Sequence, residues 1–205
     1  MKRREQAAGT EAALKDAARR VFARQGYLNT KITDITTEAG RAAGSFYNHF
    51  ASKEELLEAL LADLLAEGDR SALAPESEHS EDFTDRAAVR WHVATYWRFA
   101  NEHVAELTAL RQAALVNADF GARVEAMVGE DSSHLRDHLD PIVRAGRSLP
   151  ADPDVVLAIF TALLDGFRHR WEVSGGDFGG RHVSDEEAID AATEFIYRAL
   201  NGQSG

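Results

Sequence analysis

Cysteine is absent from this 205-residue chain. The absence excludes disulfide frameworks, thiolate zinc sites and cysteine nucleophiles, and it favours a reducing compartment. Long apolar runs are also missing, because Glu58 and Asp63 interrupt the leucine-rich stretch 56–65, which is well short of the roughly 20 apolar residues of a membrane span. The first residues, MKRREQAAGTEAAL, lack the apolar segment of a secretory signal. We therefore expect a soluble cytoplasmic protein.

Positive charge is scarce, since 23 Lys and Arg stand against 34 Asp and Glu and give a formal net charge of −11. The deficit is uneven. Residues 1–53 carry ten basic and five acidic residues, a charge of +5, which leaves thirteen basic and twenty-nine acidic residues, or −16, for the rest. A basic end on an acidic chain predicts a polyanion partner at that end, and the alternative is an accidental cluster on a solvated face.

Hydrophobic periodicity predicts an all-α fold without strands. A first helix ending near Gly26 has its apolar side chains at i, i+3, i+4, i+7 and i+8, namely Leu14, Ala17, Ala18, Val21 and Phe22. Two shorter helices follow, one marked by Ile32, Ile35 and Ala39 and one by Ala43, Phe46, Tyr47 and Phe50. Ser52 and Glu55 have the spacing of a capping box, which starts a leucine-rich fourth helix.

A larger helical region follows the polar loop DRSALAPESEHSED. We expect helices through RAAVRWHVATYWRFA, through EHVAELTALRQAAL, and from about residue 119 to 144. Asp152 and Pro153 then begin a helix that is apolar on nearly every side, EVSGGDFGGRHV is expected to be a flexible connection, and Ser184 with Glu187 caps the last helix. The expected domains are residues 1–52 and residues 53–205, the latter containing most of about nine helices.

Residues 33–50 have the pattern of a helix-turn-helix. Thr33 to Ala39 forms its first helix, residues 40–43 the turn, and Gly44 to Phe50 the recognition helix. Phe46 and Phe50 are four residues apart and should face the core. Three polar side chains, which can bond phosphates or base edges, then project outward: Tyr47, Asn48 and His49.

The segment TDITTEAGRAAGSFYNHFASKEELLEAL resembles the DNA-binding signature of the TetR family of bacterial transcriptional regulators. The resemblance covers roughly residues 10–65, and the remaining chain matches in helix count, length and the stretch DPDVVLAIFTALLDGF. It implies phosphate contacts from Thr33, Tyr47, His49 and Lys53, and base contacts from Gly44, Ser45 and Asn48. The chain departs from the family pattern at three positions, Arg41, Ala42 and Ala43. Arg41 replaces a residue that is usually apolar, and we expect it to add a DNA contact from the turn.

The resemblance further implies a homodimer that binds a pseudo-palindromic operator and is released, as a repressor, by a small effector. One face of the helix 155–171 (Val156, Phe160, Leu163, Phe167) should meet its own core. Another face (Leu157, Leu164, Trp171), together with the last helix, should form a four-helix interface; the monomeric alternative is a central helix wrapped by its own chain. Bulky side chains expected to line a pocket for a largely apolar effector are Tyr96, Trp97, Phe120, Met127 and Phe160.

A competing pattern places Asp131, His134 and His138 at i, i+3 and i+7 of one helix face. A carboxylate and two imidazoles at this spacing suit a divalent metal, and an open coordination position would support hydrolysis. The alternative function is therefore a helical metal-dependent hydrolase. The preferred interpretation is a regulator without a resident cofactor or catalytic residues.

Overall fold

The computed structural model describes the backbone of residues 2–72 and 79–202 and the side chains of residues 7–70 and 79–202. Within these residues the chain is almost wholly helical, which confirms the all-α prediction. The first four helices are α1 (Lys2–Gln25), α2 (Ile32–Glu38), α3 (Ala43–Phe46) and α4 (Lys53–Ala72). The later ones are α5 (Arg86–Glu102), α6 (Val104–Val116), α7 (Ala118–Ser132), a 3-10 helix (Ser133–Leu139), α8 (Asp140–Arg144), α9 (Pro153–Ser174) and α10 (Asp185–Asn201).

The glycine-rich segment between α9 and α10 is a short β-hairpin, so the prediction of a flexible connection without strands is wrong there. Strand β1 (Asp177–Phe178) pairs antiparallel with β2 (Arg181–His182). All four glycines of the segment have positive φ, which permits the tight turns before and between the strands. The Phe178 ring stacks on Trp171 with the ring centroids 5.6 Å apart and so ties the hairpin to α9.

The chain forms two compact units. Unit 1 comprises residues 1–69 and 103–130, and unit 2 comprises residues 70–102 and 131–205. This division differs from the expected boundary between residues 52 and 53, because α4, α6 and α7 share an apolar core with the first three helices. The predicted loop 69–82 is described only in part, since α4 extends to Ala72 and residues 73–78 lie outside the described residues.

Unit 1 is built around α1, which packs against α2 and α6. The five apolar residues predicted for the buried face of α1 are all at most 3% exposed. Gly26 ends this helix with φ +73°, as the sequence predicts. The neighbouring Tyr27 amide donates to the Gln112 side chain of α6 at 2.9 Å, which fixes α6 to the end of α1.

Unit 2 packs α5 against α9 and α10 and includes the 3-10 helix and α8. The single helix expected from residue 119 to 144 is instead three segments. Pro141 has no N–H to donate to a preceding turn and stands in the first turn of α8, so the longer helix cannot continue through it. Phe120 consequently belongs to the core of unit 1 and Leu139 to that of unit 2.

Helix α9 begins as predicted, with the Asp152 carboxylate accepting the Asp154 N–H at 3.0 Å. Its predicted second outward face is wrong, because Leu157, Leu164 and Trp171 are at most 8% exposed and lie in the same core as Phe160. The Ser184 cap of α10 is confirmed, since its hydroxyl accepts the Glu187 N–H at 3.3 Å. None of the described helices combines the length and the apolarity that crossing a bilayer requires.

Candidate nucleic-acid interface

Helix α2 starts at a turn that is closed by hydrogen bonds. The Asp34 carboxylate accepts the Lys31 N–H at 2.9 Å and the Gln25 side-chain amide at 3.2 Å. Ile35 and Thr36 are buried in unit 1, whereas Thr33 is exposed on the opposite face. Thr33 is therefore accessible, as the phosphate contact implied by the family resemblance requires.

The turn after α2 is a Schellman motif centred on Gly40, whose φ is +63°. The Arg41 N–H donates to the Thr36 carbonyl at 2.8 Å, and the Gly40 N–H donates to the Thr37 carbonyl at 3.0 Å. These bonds reverse the chain within three residues and leave the Arg41 side chain exposed beside the next helix.

The recognition helix is shorter than predicted. Helix α3 ends at Phe46 rather than Phe50, and the chain continues as a turn in which the His49 and Phe50 amides both donate to the Phe46 carbonyl at 2.9 Å. The core-facing prediction is confirmed, since Phe46 and Phe50 are 0% and 4% exposed and their ring centroids lie 5.7 Å apart. Two buried rings thus anchor a segment too short to be stable by itself.

The outward side of this segment carries the remaining predicted contacts. Tyr47 is 62% exposed, and its ring meets the edge of Phe46 with the centroids 5.6 Å apart. Asn48 and Gly44 are exposed, whereas Ser45 and His49 are half-buried. The segment therefore exposes the Tyr47 phenol, the Asn48 amide and the backbone of Gly44 to solvent, while buried Phe46 and Phe50 hold it in place.

Lys53, for which the family resemblance implies a phosphate contact, bonds backbone carbonyls of its own chain. Its Nζ donates to the carbonyls of Tyr27 and Thr30 at 2.8 and 2.7 Å and lies 3.8 Å from the centroid of the Tyr27 ring. Burial lowers the pKa of the Lys53 ammonium. The Tyr27 hydroxyl in turn donates to Glu54 at 2.5 Å. Lys53 thus fastens the α1–α2 connection to the start of α4.

The start of α4 has the predicted cap with one change. The Ser52 hydroxyl accepts the Glu55 N–H at 3.2 Å, but the Glu55 carboxylate accepts the N–H of Ala51 rather than that of Ser52. The cap therefore spans one residue more than a standard capping box and fixes the direction of the chain after Phe50.

Ion pairs occupy much of the basic end. Arg20 and Arg24 both pair with Glu38, at 2.7 and 3.2 Å, and the Arg20 guanidinium holds the pKa of that carboxyl below its usual range. Lys31 and Arg41 are exposed, and neither forms an ion pair with any of the described side chains. Sequence reasoning missed Lys31, although its place directly before the start of α2 was a usable signal.

Known proteins resemble the chain both in sequence and in fold. The profile of bacterial regulatory proteins of the tetR family matches residues 14–60. The transcriptional regulator TtgR of Pseudomonas putida is 40% identical over 79 residues, which span 38% of either chain. The transcriptional repressor KstR2 of Mycobacterium tuberculosis is 44% identical over 52 residues, 25% of this chain and 26% of that one. A TetR family transcription regulator of Marinobacter aquaeolei superposes with a TM-score of 0.65 at 19% identity, over 97% of this chain and 98% of its own.

Residues 14–60 therefore resemble the tetR family in sequence, and the chain as a whole resembles a solved TetR family structure in fold. The matched segments nevertheless span only 38% and 26% of the two curated relatives. The profile match lies wholly in unit 1, and the fold extends the likeness to the rest of the chain.

The predicted effector residues lie in two separate cores. Tyr96, Trp97 and Phe160 belong to unit 2, and the Tyr96 hydroxyl donates to Asp165 at 3.0 Å. Phe120 and Met127 belong to unit 1. The structure therefore does not gather the five side chains within one core.

The metal-binding pattern predicted at Asp131, His134 and His138 is not assembled. The prediction assumed α-helical geometry, whereas residues 133–139 form a 3-10 helix whose three residues per turn separate positions i and i+7. His134 is exposed and His138 is 2% exposed. His138 instead lies with His79 and His92, two residues that sequence spacing did not connect with it.

Proposed function

We propose that the chain is a transcriptional regulator that binds a pseudo-palindromic DNA operator as a homodimer and is released by a small, largely apolar effector. The observation that carries the proposal is the segment from Ala43 to Phe50. Its two phenylalanines are buried, and Tyr47 and Asn48 project into solvent from the rigid turn that follows α3. The family match of unit 1 supports the same function.

The proposed DNA contacts fall into two groups. Exposed Thr33, Tyr47 and Arg41 are assigned to phosphates, with His49 beside them, because hydroxyls, imidazole and guanidinium donate readily to phosphate oxygens. Base edges are assigned to Asn48, Ser45 and Gly44, since an amide can bond adenine through two positions and a glycine allows close approach.

The positions of two lysines in the structure change the DNA-binding roles that we propose for them. Lys31 is added as a phosphate contact, because it is exposed at the start of α2 and has no ion pair among the described side chains. Lys53, for which the resemblance implies a phosphate contact, is given an indirect role. Two of its three N–H donors already bond Tyr27 and Thr30, so it supports the surface from behind.

Two exposed apolar stripes of unit 2 support the proposed dimer. On α9, Val155 and Ile159 are 49% and 58% exposed. On α10, the 64% exposed Phe195 stands between Ala191 and Ala199 in a shallow groove. Burying such stripes against a two-fold copy removes apolar area from water. A two-fold axis also suits DNA, since successive major grooves lie about 34–36 Å apart.

The effector is proposed to bind in unit 2 and to be largely apolar, because the predicted effector residues of that unit, Tyr96, Trp97 and Phe160, are all aromatic. If the protein is a repressor, binding of the effector releases it from its DNA operator. The relative KstR2 is a transcriptional repressor, which supports that sign of regulation.

Selection of bound fragments from a genomic DNA library with the full chain would test the DNA proposal. We expect recovered fragments to share a pseudo-palindrome. Tyr47→Ala should weaken binding to all sequences, and Asn48→Ala should relax base preference. Val116→Ala, which alters a 64% exposed residue at the end of α6, serves as the control. Equal binding by parent, Tyr47→Ala and Asn48→Ala would contradict the assignment.

Light scattering after size exclusion would test the dimer. Phe195→Glu and Ile159→Glu place a charge in the proposed interface and should shift the chain towards the monomer. Val143→Glu introduces the same charge on α8, at a residue that is 54% exposed, and should leave the dimer intact. A dimer that survives both interface variants would place the interface elsewhere.

A further inference from the structure

Three histidines that are far apart in sequence converge in unit 2. His79 precedes α5, His92 lies on α5 and His138 lies on the 3-10 helix. One ring nitrogen of each can be chosen so that all three lie within 4.8 Å of one another. The Nε2 atoms of His79 and His138 are 3.0 Å apart.

The hydrogen bond of His92 fixes which of its nitrogens is available. Its Nδ1 lies 2.9 Å from the Ala88 carbonyl, which can only accept, so Nδ1 carries the proton. Nε2 then holds a bare lone pair, and this atom is buried without a hydrogen-bond partner among the described residues. An imidazole that donates from one nitrogen to a backbone carbonyl and keeps the other bare is oriented as metal-bound histidines are.

Aromatic contacts hold the three rings in place. The Phe83 ring lies 4.9 Å from that of His92 and 5.0 Å from that of His138, and Trp91 lies 5.0 Å from His79, all between ring centroids. His138 is 2% exposed. The packing leaves the imidazoles little freedom to turn towards solvent.

A cation satisfies this cluster better than hydrogen bonds among the imidazoles. One N–H···N bond can join His79 to His138, but it leaves the lone pair of His92 unused. Tetrahedral zinc with Zn–N bonds of about 2.0–2.1 Å sets its ligand nitrogens about 3.3 Å apart, so the observed 3.0 Å pair needs to open only slightly.

The electrostatic surroundings agree with this geometry. The Phe83 ring packs against both His92 and His138, and such apolar surroundings favour the neutral imidazoles that metal ligands must be. The nearby Glu81 carboxylate adds negative charge next to His138.

We propose that His79, His92 and His138 bind one Zn²⁺ ion through one nitrogen each, with a water or a small anion at the fourth position. Three imidazoles suit zinc better than magnesium or calcium, which prefer oxygen ligands. The site goes beyond the proposed DNA-binding function and does not depend on it. It also differs from the Asp131, His134 and His138 pattern, of which it keeps only His138.

The test uses the full chain without an affinity tag, stripped with chelator and dialysed. Zn²⁺ alone is titrated by calorimetry, and Co²⁺ alone is titrated by visible absorption. We expect one ion per chain and the strong d–d bands of four-coordinate cobalt. His92→Ala and His138→Ala should each weaken Zn²⁺ binding by more than the roughly 10–100-fold that loss of a second-shell partner costs.

The matched control is His134→Ala, which removes an exposed histidine four residues before His138. It should bind as the parent does. Circular dichroism melts confirm that each variant folds, and His79→Ala, which changes a residue outside the helices, replaces any variant that does not. Less than one ion per chain, undiminished binding by the cluster variants, or equal loss in His134→Ala would each overturn the proposal.

Discussion

The two units differ in how their buried charged groups are paired. In unit 1, Glu106 is 6% exposed and pairs with Arg19 at 3.1 Å. Lys53 is satisfied by two carbonyls. In unit 2, Arg168 is likewise 6% exposed, but its Nε and Nη1 have no hydrogen-bond partner among the described residues, and the same holds for Nε1 of Trp97 and Nε2 of His92.

The buried charges compared in unit 1 are paired within the protein, whereas unit 2 has buried polar atoms that a ligand could pair with. A buried donor or lone pair without a partner costs free energy that a ligand can recover. Unit 1 needs no ligand to satisfy Glu106 and Lys53, the second of which supports the turn that we propose binds DNA. Unit 2 contains groups that a cation or a polar effector atom would satisfy, and it is the unit in which we propose that zinc and the effector bind.

The largest expected effect is a loss of unit 1 stability in Phe46→Ala. Phe46 is fully buried, and removing a core phenylalanine costs about 3–5 kcal/mol of unfolding free energy. Urea unfolding followed by circular dichroism measures it. Tyr47→Ala changes the adjacent, 62% exposed ring and should alter stability by less than about 0.5 kcal/mol.

This pair of variants separates folding from recognition. Phe46→Ala should lose operator binding because α3 loses its anchor, whereas Tyr47→Ala should lose affinity while remaining folded. Equal stability in the two variants would show that Phe46 does not anchor the turn.

Sequence reasoning predicted what local patterns control. Apolar spacing predicted the buried face of α1, and cap residues predicted the starts of α9 and α10. The length of α3 was missed, since four residues are too few for periodicity to mark an end. The 3-10 geometry after Ser132 was not predicted, because the same apolar residues fit an α-helix. Pro141, which disfavours one continuous helix, was the available signal.

Local sequence patterns cannot predict contacts between residues that are far apart in the chain. His79 and His138 are 59 positions apart, and no local pattern places their nitrogens 3.0 Å from each other. The role of Lys53 was also hidden, because its acceptors are the carbonyls of Tyr27 and Thr30, which any residue type provides. The outward direction of Tyr47 and Asn48, by contrast, follows from the helix-turn-helix pattern, and both side chains are exposed.

The second prediction concerns acid stability of the metal-free protein in chelator. His92 has a pKa of about 4 in the folded chain, against about 6.5 when unfolded, because burial and the neighbouring His138, His79 and His134 disfavour its charge. A depressed pKa contributes stability above pH 6.5 that is lost as pH falls towards 4. The expected loss is about 2–4 kcal/mol of unfolding free energy.

Urea unfolding at several pH values between about 7 and 4 measures this loss. His92→Gln should flatten the dependence, and the control His169→Gln, which changes an exposed histidine of α9, should keep it. A parent whose stability is constant across this range would show that His92 is not buried as a neutral ring.

The third prediction applies one substitution to both units. Arg19→Met leaves the Glu106 carboxylate buried without its charge partner and should cost about 1–3 kcal/mol. Arg168→Met removes a cation that contacts Asn101 and the Trp97 ring, 5.5 Å away, rather than a carboxylate. Because burial of an unpaired charge is itself costly, this variant should be within about 1 kcal/mol of the parent or more stable. Thermal unfolding with matched buffers compares them, and a larger loss in Arg168→Met would mean that unit 2 is as fully paired as unit 1.

The smallest expected effect is a change in the salt dependence of operator binding. It distinguishes the basic residues of unit 1 that contact phosphate from those that do not. The logarithm of affinity falls linearly with the logarithm of salt concentration, with a slope of about −0.9 for each neutralised phosphate. Lys31→Ala and Arg41→Ala should each flatten the slope by about 0.9 per subunit, since both cations are exposed and have no ion pair among the described side chains. Lys53→Met should weaken binding at every salt concentration with little change of slope, because its ammonium bonds Tyr27 and Thr30 rather than phosphate.

Fluorescence anisotropy with the selected operator at several salt concentrations measures these slopes. Arg123→Ala, which removes an exposed arginine that pairs with Glu58, is the control for loss of one positive charge and should leave the slope unchanged. If Lys53→Met flattens the slope as much as Arg41→Ala does, the ammonium leaves its two carbonyls when DNA binds. The phosphate contact implied by the family resemblance would then be correct, and the surface of unit 1 would rearrange on binding rather than being preformed.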